Sequence, residues 1–153
     1  MSKALPRLIT DPFRSALMGR VRQRGTAPEL AVGVALRQLG LAYRKNVGSL
    51  PGAPDFANRR RRWAIFVNGC YWHHHRCARG TIPKRNRDFW VEKFATNRTR
   101  DAAAVRALRK AGFHVVLIWE CQSRDPLEIR KRLGTLSTGR ACLSPEGKRF
   151  AKN

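Results

Sequence analysis

The feature that most constrains this chain is a short run of cysteines and histidines between residues 68 and 77. The run is Asn-Gly-Cys-Tyr-Trp-His-His-His-Arg-Cys, and it holds two of the four cysteines and three of the four histidines. Zinc prefers thiolate and imidazole ligands, and a closed structural site needs four of them. The sequence therefore predicts a loop that folds around a metal ion.

Cys70, one histidine, Cys77 and a distant cysteine would complete such a site. Cys121 is the better candidate because it follows a predicted strand, whereas Cys142 lies in a basic segment without a clear period. Three cysteines and one histidine leave no open position, so such a zinc ion would brace the loop and not catalyse hydrolysis. The alternative is that the cysteines are simply buried and the histidine run is fortuitous.

Net charge is the second constraint. The 32 Lys and Arg residues outnumber the 10 Asp and Glu residues, which gives +22 over 153 residues. Such a charge favours binding to polyanions, and it favours nucleic acid most because binding releases counterions from the phosphates. The 42% apolar content excludes a disordered basic tail, because it is enough to form a core. No apolar stretch is long enough for a membrane helix or a signal peptide, so we expect a cytosolic protein that does not enter a membrane.

The apolar periodicity predicts one α/β domain over residues 1–153, with a core at about 11–133 and a basic, weakly structured segment at 134–153. Helices are predicted from Pro12, over 27–39, over 87–111 and over 126–133, and strands over 41–44, 55–57, 63–67 and 113–119. A helix connects the last two strands, so the last strand should lie parallel to a neighbour in a mixed sheet. Residues 59–62, four arginines, should form an exposed turn that contacts phosphate, or a plain solvated turn.

The few carboxylates each call for an explanation. Asp88, Glu92 and Asp101 are expected on a solvated helix face beside arginines. Glu29 closes a capping box at the start of the second helix, and it is also a candidate to face a cleft. Asp55 follows a proline at the start of a strand, where no helix needs a cap, so it is a candidate Mg²⁺ ligand. A surface aspartate in a turn is the alternative.

Three separated motifs resemble the very short patch repair (Vsr) endonucleases. They are Leu50-Pro51-Gly52-Ala53-Pro54-Asp55-Phe56, the run from Ala64 to His75, and Trp119-Glu120-Cys121. They follow the family's order and spacing, and the resemblance extends from about Phe13 to Leu133. It implies a restriction endonuclease-like core with a mixed central sheet flanked by helices, a structural zinc, Mg²⁺ dependence, and nicking of one DNA strand beside the thymine of a T·G mismatch.

The resemblance also implies roles for individual residues. Asp55 becomes the metal-binding carboxylate, and the backbone carbonyl of Val67 helps to hold Mg²⁺. His73 becomes the general base, and Glu29 an acidic residue that orients the imidazole or a water. The implied zinc ligands are Cys70, His75, Cys77 and Cys121. The rings implied to wedge into the DNA stack are those of Tyr71, Trp72 and Trp90.

This sequence departs from the family at two positions. Asn68 stands where members often carry a second histidine, so we expect it to hydrogen-bond a phosphate and not to transfer protons. Tyr71 stands where Phe is usual, which keeps a flat ring and adds a hydroxyl. Like the family, the chain lacks a carboxylate-x-Lys element, since Phe66-Val67-Asn68 occupies that place. A histidine must therefore do the work of the lysine.

The resemblance thus implies a Mg²⁺-dependent nickase of double-stranded DNA containing T·G mismatches, which we expect to act as a monomer. It would act at the nucleoid in the bacterial cytoplasm, with other DNA repair proteins as candidate partners. A zinc-stabilised DNA-binding module without catalysis is the alternative, because the charge and the aromatic residues alone allow it. A basic RNA-binding protein of ribosomal type would leave Asp55 and the histidines unexplained.

Overall fold

A computed structural model describes residues 11–21 and 24–137, so Cys142 and the prediction attached to it lie outside the described residues. The elements are α1 Pro12–Gly19, α2 Ala27–Gln38, β1 Arg44–Lys45, β2 Phe56–Asn58, β3 Trp63–Asn68, α3 Arg87–Lys110, β4 His114–Trp119 and α4 Pro126–Ser137. None of the helices in this part of the chain is both long and apolar enough to cross a membrane.

The strands form one mixed sheet in the order β1-β2-β3-β4. β1 and β2 pair antiparallel, as do β2 and β3, whereas β3 and β4 are parallel, with Ile65 opposite Val116. The long helix α3 connects the two parallel strands, because strands in this orientation need a crossover. The predicted α/β class, the mixed sheet and the parallel last strand are confirmed.

Side chains of β3 alternate between two apolar layers, which places helices on both faces of the sheet. Trp63 and Ile65 join a cluster that includes residues of α2 and α4. Ala64 packs on the opposite face with Val105 and Leu108 of α3. The sheet is therefore enclosed between α2 and α4 on one face and α3 on the other.

Two element boundaries differ from the predictions by more than one residue. The strand predicted over residues 41–44 begins only at Arg44, because the backbone N–H groups of Gly40 and Leu41 still bond to carbonyls of α2. Gly40 has φ +65°, which lets the chain close the helix end in this way. At the other end, α4 continues to Ser137, so the segment predicted to be weakly structured begins with helix.

Candidate active site and metal centre

The candidate site lies at the edge of the sheet where β3 and β4 both end. Asn68 and Trp119 are opposite one another in the parallel register. Because parallel strands end at the same edge of a sheet, the residues that follow them are neighbours. The backbone N–H of Cys121 accordingly lies 3.4 Å from Cys70 Sγ, although the two residues are 51 positions apart.

Four side chains at this edge form a possible metal site. Ligand atoms of Cys70, His75, Cys77 and Cys121 all lie within 4.8 Å of one another. His75 Nδ1 is 3.7 Å from Cys70 Sγ and 3.6 Å from Cys121 Sγ. A tetrahedral zinc ion with ordinary bond lengths places nitrogen and sulfur ligands about 3.6 Å apart. The donor set and its spacing therefore fit zinc.

The environment of the two loop cysteines differs. Burial raises the pKa of the Cys70 thiol to about 12, whereas a hydrogen bond with His75 lowers the pKa of Cys77 to about 7. Glu120 accepts the backbone N–H of Cys70 at 3.2 Å and pairs with Arg79 through its other oxygen. We call the loop from Cys70 to Cys77 the hook. Glu120, which follows β4, thus holds the start of the hook and Arg79, two residues after its end.

His73 lies in the hook and faces a carboxylate of α3. Its Nδ1 is 2.6 Å from Asp101 Oδ2, and the edge of its ring meets Trp119 with the ring centroids 5.8 Å apart. Trp119 also stacks on His75, with the centroids 4.2 Å apart and the planes inclined by 16°. One indole therefore contacts both a candidate metal ligand and the candidate base.

The contact with Asp101 determines which ring nitrogen of His73 faces a carboxylate. Burial raises the pKa of Asp101, but its interactions with His73 and Arg100 together outweigh this effect and the net pKa is lowered. An ionised carboxylate at Nδ1 favours the neutral tautomer that carries its proton there. Nε2 is then the nitrogen that can accept a proton.

Asp55 lies immediately before β2, beside the last residues of β3. Its Oδ2 accepts the backbone N–H of Val67 at 2.7 Å. The Asn68 carbonyl accepts the N–H of Glu120 on the β4 side. Successive residues of a strand direct their backbone groups to opposite sides, so the Val67 carbonyl points toward the side of Asp55. The structure thus brings together the two residues predicted to hold Mg²⁺.

Asp55 keeps its proton to a higher pH than an exposed aspartate does, because its pKa is raised. Burial raises its pKa from 3.8 to about 6; the Val67 hydrogen bond lowers it, the charge of Glu29 raises it and the charge of Arg24 lowers it. Oxygen ligands with a concentrated negative charge suit a hard cation such as Mg²⁺. The chemistry of these residues therefore fits such an ion.

Four aromatic rings cluster where the hook meets α3. The Tyr71 ring contacts those of Trp72, Trp90 and Phe94, with centroid separations of 5.1, 5.6 and 5.7 Å. Phe94 is fully buried, whereas the other three are half-buried. Asn68 is also half-buried, at the end of β3. The cluster therefore has a buried base and an accessible rim that contains all three rings predicted to enter DNA.

The structure corrects the interpretation of one carboxylate and shows the surroundings of another. Asp101 does not lie on a solvated helix face, because it is inserted against His73. Glu29, predicted to orient the imidazole or a water, accepts hydrogen bonds from the Thr26 hydroxyl at 2.9 Å and the Gly25 N–H at 2.9 Å. Glu29 reaches the site through its charge on Asp55. Sequence reasoning missed Asp101, although it interrupts the apolar stripe of α3.

Comparison with known proteins decides the family. The family model of the DNA mismatch endonuclease Vsr matches residues 8–79. The DNA mismatch endonuclease Vsr of Escherichia coli K12 is 40% identical over 72% of this chain and 71% of its own length. The chain belongs to the Vsr family.

Type II nicking enzymes are equally similar to this Vsr-family chain. V.NmeAIP of Neisseria meningitidis serogroup A is 37% identical over 84% of the chain and 92% of its own length. V.XorIIP of Xanthomonas oryzae pv. oryzae is 39% identical over 78% of the chain and 88% of its own length. This Vsr-family protein is accordingly a DNA endonuclease, and the non-catalytic DNA-binding module is not supported.

Proposed function

We propose that this endonuclease nicks one strand of double-stranded DNA beside the thymine of a T·G mismatch, in a reaction that requires Mg²⁺. The observation that carries the proposal is the arrangement at one sheet edge of a half-buried carboxylate, a histidine beside a second carboxylate, and an aromatic loop with a possible metal site. Phosphodiester hydrolysis needs an activated water and stabilisation of a more anionic transition state. Residues of this site would activate the water and stabilise the transition state.

Asp55 and the Val67 carbonyl would hold the magnesium ion. When bound there, Mg²⁺ would neutralise the charge that develops on the reacting phosphate. Glu29 acts as a second acidic group near the ion that strengthens the negative potential at Asp55, and its effect on the Asp55 pKa supports this role. Val67 also donates its N–H to Asp55 and so fixes the direction of that carboxylate.

His73 acts as the general base. Asp101 holds the proton of the imidazole on Nδ1, so Nε2 is available to take a proton from the attacking water. Trp119 limits the rotation of the ring through its edge contact. An imidazole suits this task because its ordinary pKa is close to neutral pH.

Tyr71, Trp72 and Trp90 find the mismatch by entering the base stack. Separating stacked bases costs a few kcal/mol, and the cost is lower where pairing is already poor. A T·G pair would therefore admit the rings more readily than a T·A pair. Asn68, next to Val67, would hydrogen-bond the DNA backbone, as its amide allows.

A structural zinc ion at Cys70, His75, Cys77 and Cys121 would keep the hook rigid. We further propose a restriction endonuclease-like core, a single domain over residues 1–153, and action as a monomer. Its DNA substrate would be the bacterial chromosome, which places the enzyme at the nucleoid in the cytoplasm, alongside other DNA repair proteins.

The decisive experiment measures nicking of a T·G duplex and its T·A counterpart, with and without Mg²⁺. We expect the wild type to nick only the T·G duplex and only with Mg²⁺. Asp55→Ala and His73→Ala should each abolish nicking and retain zinc, whereas the exposed controls Asp88→Ala and His114→Ala should nick normally. Wild-type rates in either site variant would refute the assigned roles, and equal nicking of both duplexes would refute the mismatch specificity.

A further inference from the structure

Asn97 occupies a position of α3 where an apolar side chain is expected. Phe94, Val105 and Leu108 lie on the same helix stripe and are buried. Among the described residues, only Asn97 and Ser123 are polar and buried, and Asn97 is 7% exposed. Burying an amide destabilises a protein unless it is hydrogen-bonded. The presence of Asn97 therefore calls for a specific partner.

That partner is the backbone of the hook. Asn97 Nδ2 donates to the carbonyl oxygen of Trp72 at 3.0 Å. One helical turn later, Asp101 contacts Nδ1 of His73 at 2.6 Å. Residues four apart lie on the same face of a helix. α3 therefore holds two consecutive hook residues, one by its backbone and one by its ring.

The Trp72 carbonyl belongs to the peptide plane that joins Trp72 to His73. A peptide unit is rigid, so fixing its oxygen fixes the backbone from which both side chains extend. The turns within the hook, such as His74 N–H to the Tyr71 carbonyl at 3.2 Å, shape the loop without attaching it to α3. The Asn97 hydrogen bond sets the orientation of this one plane relative to the helix.

We propose that Asn97 is a positioning residue that couples mismatch recognition to cleavage by fixing the Trp72–His73 peptide. The inference rests on the proposed function, in which the Trp72 ring enters the DNA and His73 activates the water. Loss of the hydrogen bond should disturb both steps together. Loss of the Asp101 contact should disturb only the second, because Asp101 touches the imidazole and not the Trp72 backbone.

The test compares Asn97→Leu, which keeps the size and removes the donor, with Val105→Ala. Val105 lies on the same buried stripe and packs on the sheet, so its truncation destabilises α3 without touching the hook. Asn97→Ala serves as a second variant should the leucine not be accommodated. Zinc content and the free energy of unfolding are measured for each, together with the single-turnover nicking rate at saturating DNA and the ratio of T·G to T·A affinities.

We expect both Asn97 variants to retain zinc, to lose about tenfold to a hundredfold in saturating rate, and to show a smaller affinity ratio. Asp101→Asn should lower the rate and leave the ratio unchanged, and Val105→Ala should lower stability alone. Asn97 variants that resemble Val105→Ala, or that keep both rate and ratio, would overturn the proposal.

A wild type without T·G preference would instead refute the proposed specificity. The Asn97 proposal is then judged on a duplex that the wild type does nick, by the saturating rate and by quenching of Trp fluorescence on binding. Both should change in the Asn97 variants, and wild-type values for both would refute the coupling.

Discussion

Asp55→Asn should make the zinc-loaded protein more stable at pH 8 while removing its activity. The asparagine is nearly the same size, and its carbonyl oxygen can still accept the Val67 N–H that Asp55 accepts at 2.7 Å. What the substitution removes is a carboxylate that is charged at pH 8 and whose burial opposes ionisation. A group that binds metal when charged is costly for the fold when no metal is present.

The magnitude follows from the pKa. Burial raises the pKa of Asp55 from 3.8 to about 6. A difference of about two pKa units between the unfolded and folded states corresponds to about 3 kcal/mol. Below pH about 3 the carboxyl is protonated in both states and the penalty vanishes. As the pH rises from about 4 to 6, the unfolded chain loses its proton first, so the wild type loses stability relative to the variant.

The assay is urea denaturation of both proteins in Mg²⁺-free buffer at pH 5, 6, 7 and 8. The advantage of Asp55→Asn should be about 3 kcal/mol at pH 7 to 8 and about half of that at pH 5. Effects of pH on zinc and on other groups are common to both proteins and cancel in the difference. Asp88→Asn, on the exposed first turn of α3, should show no such gain. A variant that is equally stable or less stable at pH 8 would refute the assigned burial of Asp55.

Two further substitutions probe the metal centre and the approach to Asp55. Cys121→Ser should lose most of the bound zinc and unfold at a much lower temperature, because structural zinc can contribute on the order of 10 kcal/mol to folding. The control Cys142→Ser should keep the zinc content and the unfolding temperature of the wild type. Equal zinc loss in the two variants would contradict the choice of ligands. Gly52→Ala should destabilise by about 2–4 kcal/mol in urea denaturation, because φ is +74° and the new Cβ would lie 2.6 Å from Ala104 Cβ. Gly48→Ala, which has no atom within 4 Å of its Cβ, is the matched control, and a similar cost at both glycines would contradict the steric argument.

Long periodic elements could be predicted closely from the sequence. The limits of α3 and β4 differ from prediction by only one residue each. The predictions are close because Gly112 marks the end of the helix and a continuous apolar run marks the strand. The short strand β1 could not be placed from its pattern. Its start depends on backbone bonds that hold Gly40 and Leu41 to α2, and such bonds leave no periodic signal.

The candidate site was predictable where it depends on strand ends. Cys121 could be preferred over Cys142 because a strand precedes it, and the parallel register then brings it beside Cys70. Asn97 and Asp101 could not be assigned in this way, because their partners lie on a loop whose path is set by tertiary contacts. The available signal was indirect, namely two polar residues at consecutive positions of an apolar helix stripe.

The position of the hook, with its possible metal site, next to the strand end that contacts Asp55 has an energetic consequence. A half-buried carboxylate whose pKa is raised from 3.8 to about 6 would destabilise the fold near neutral pH by about 3 kcal/mol. β2, which follows Asp55, has only three residues, and the hook is irregular, so local secondary structure offers little to offset that cost. A zinc ion at Cys70, His75, Cys77 and Cys121 would contribute several times as much. Cys70 lies two residues after Asn68 and three after Val67, whose backbone N–H contacts Asp55. The free energy of zinc binding would therefore stabilise the same strand end at which ionised Asp55 destabilises the fold.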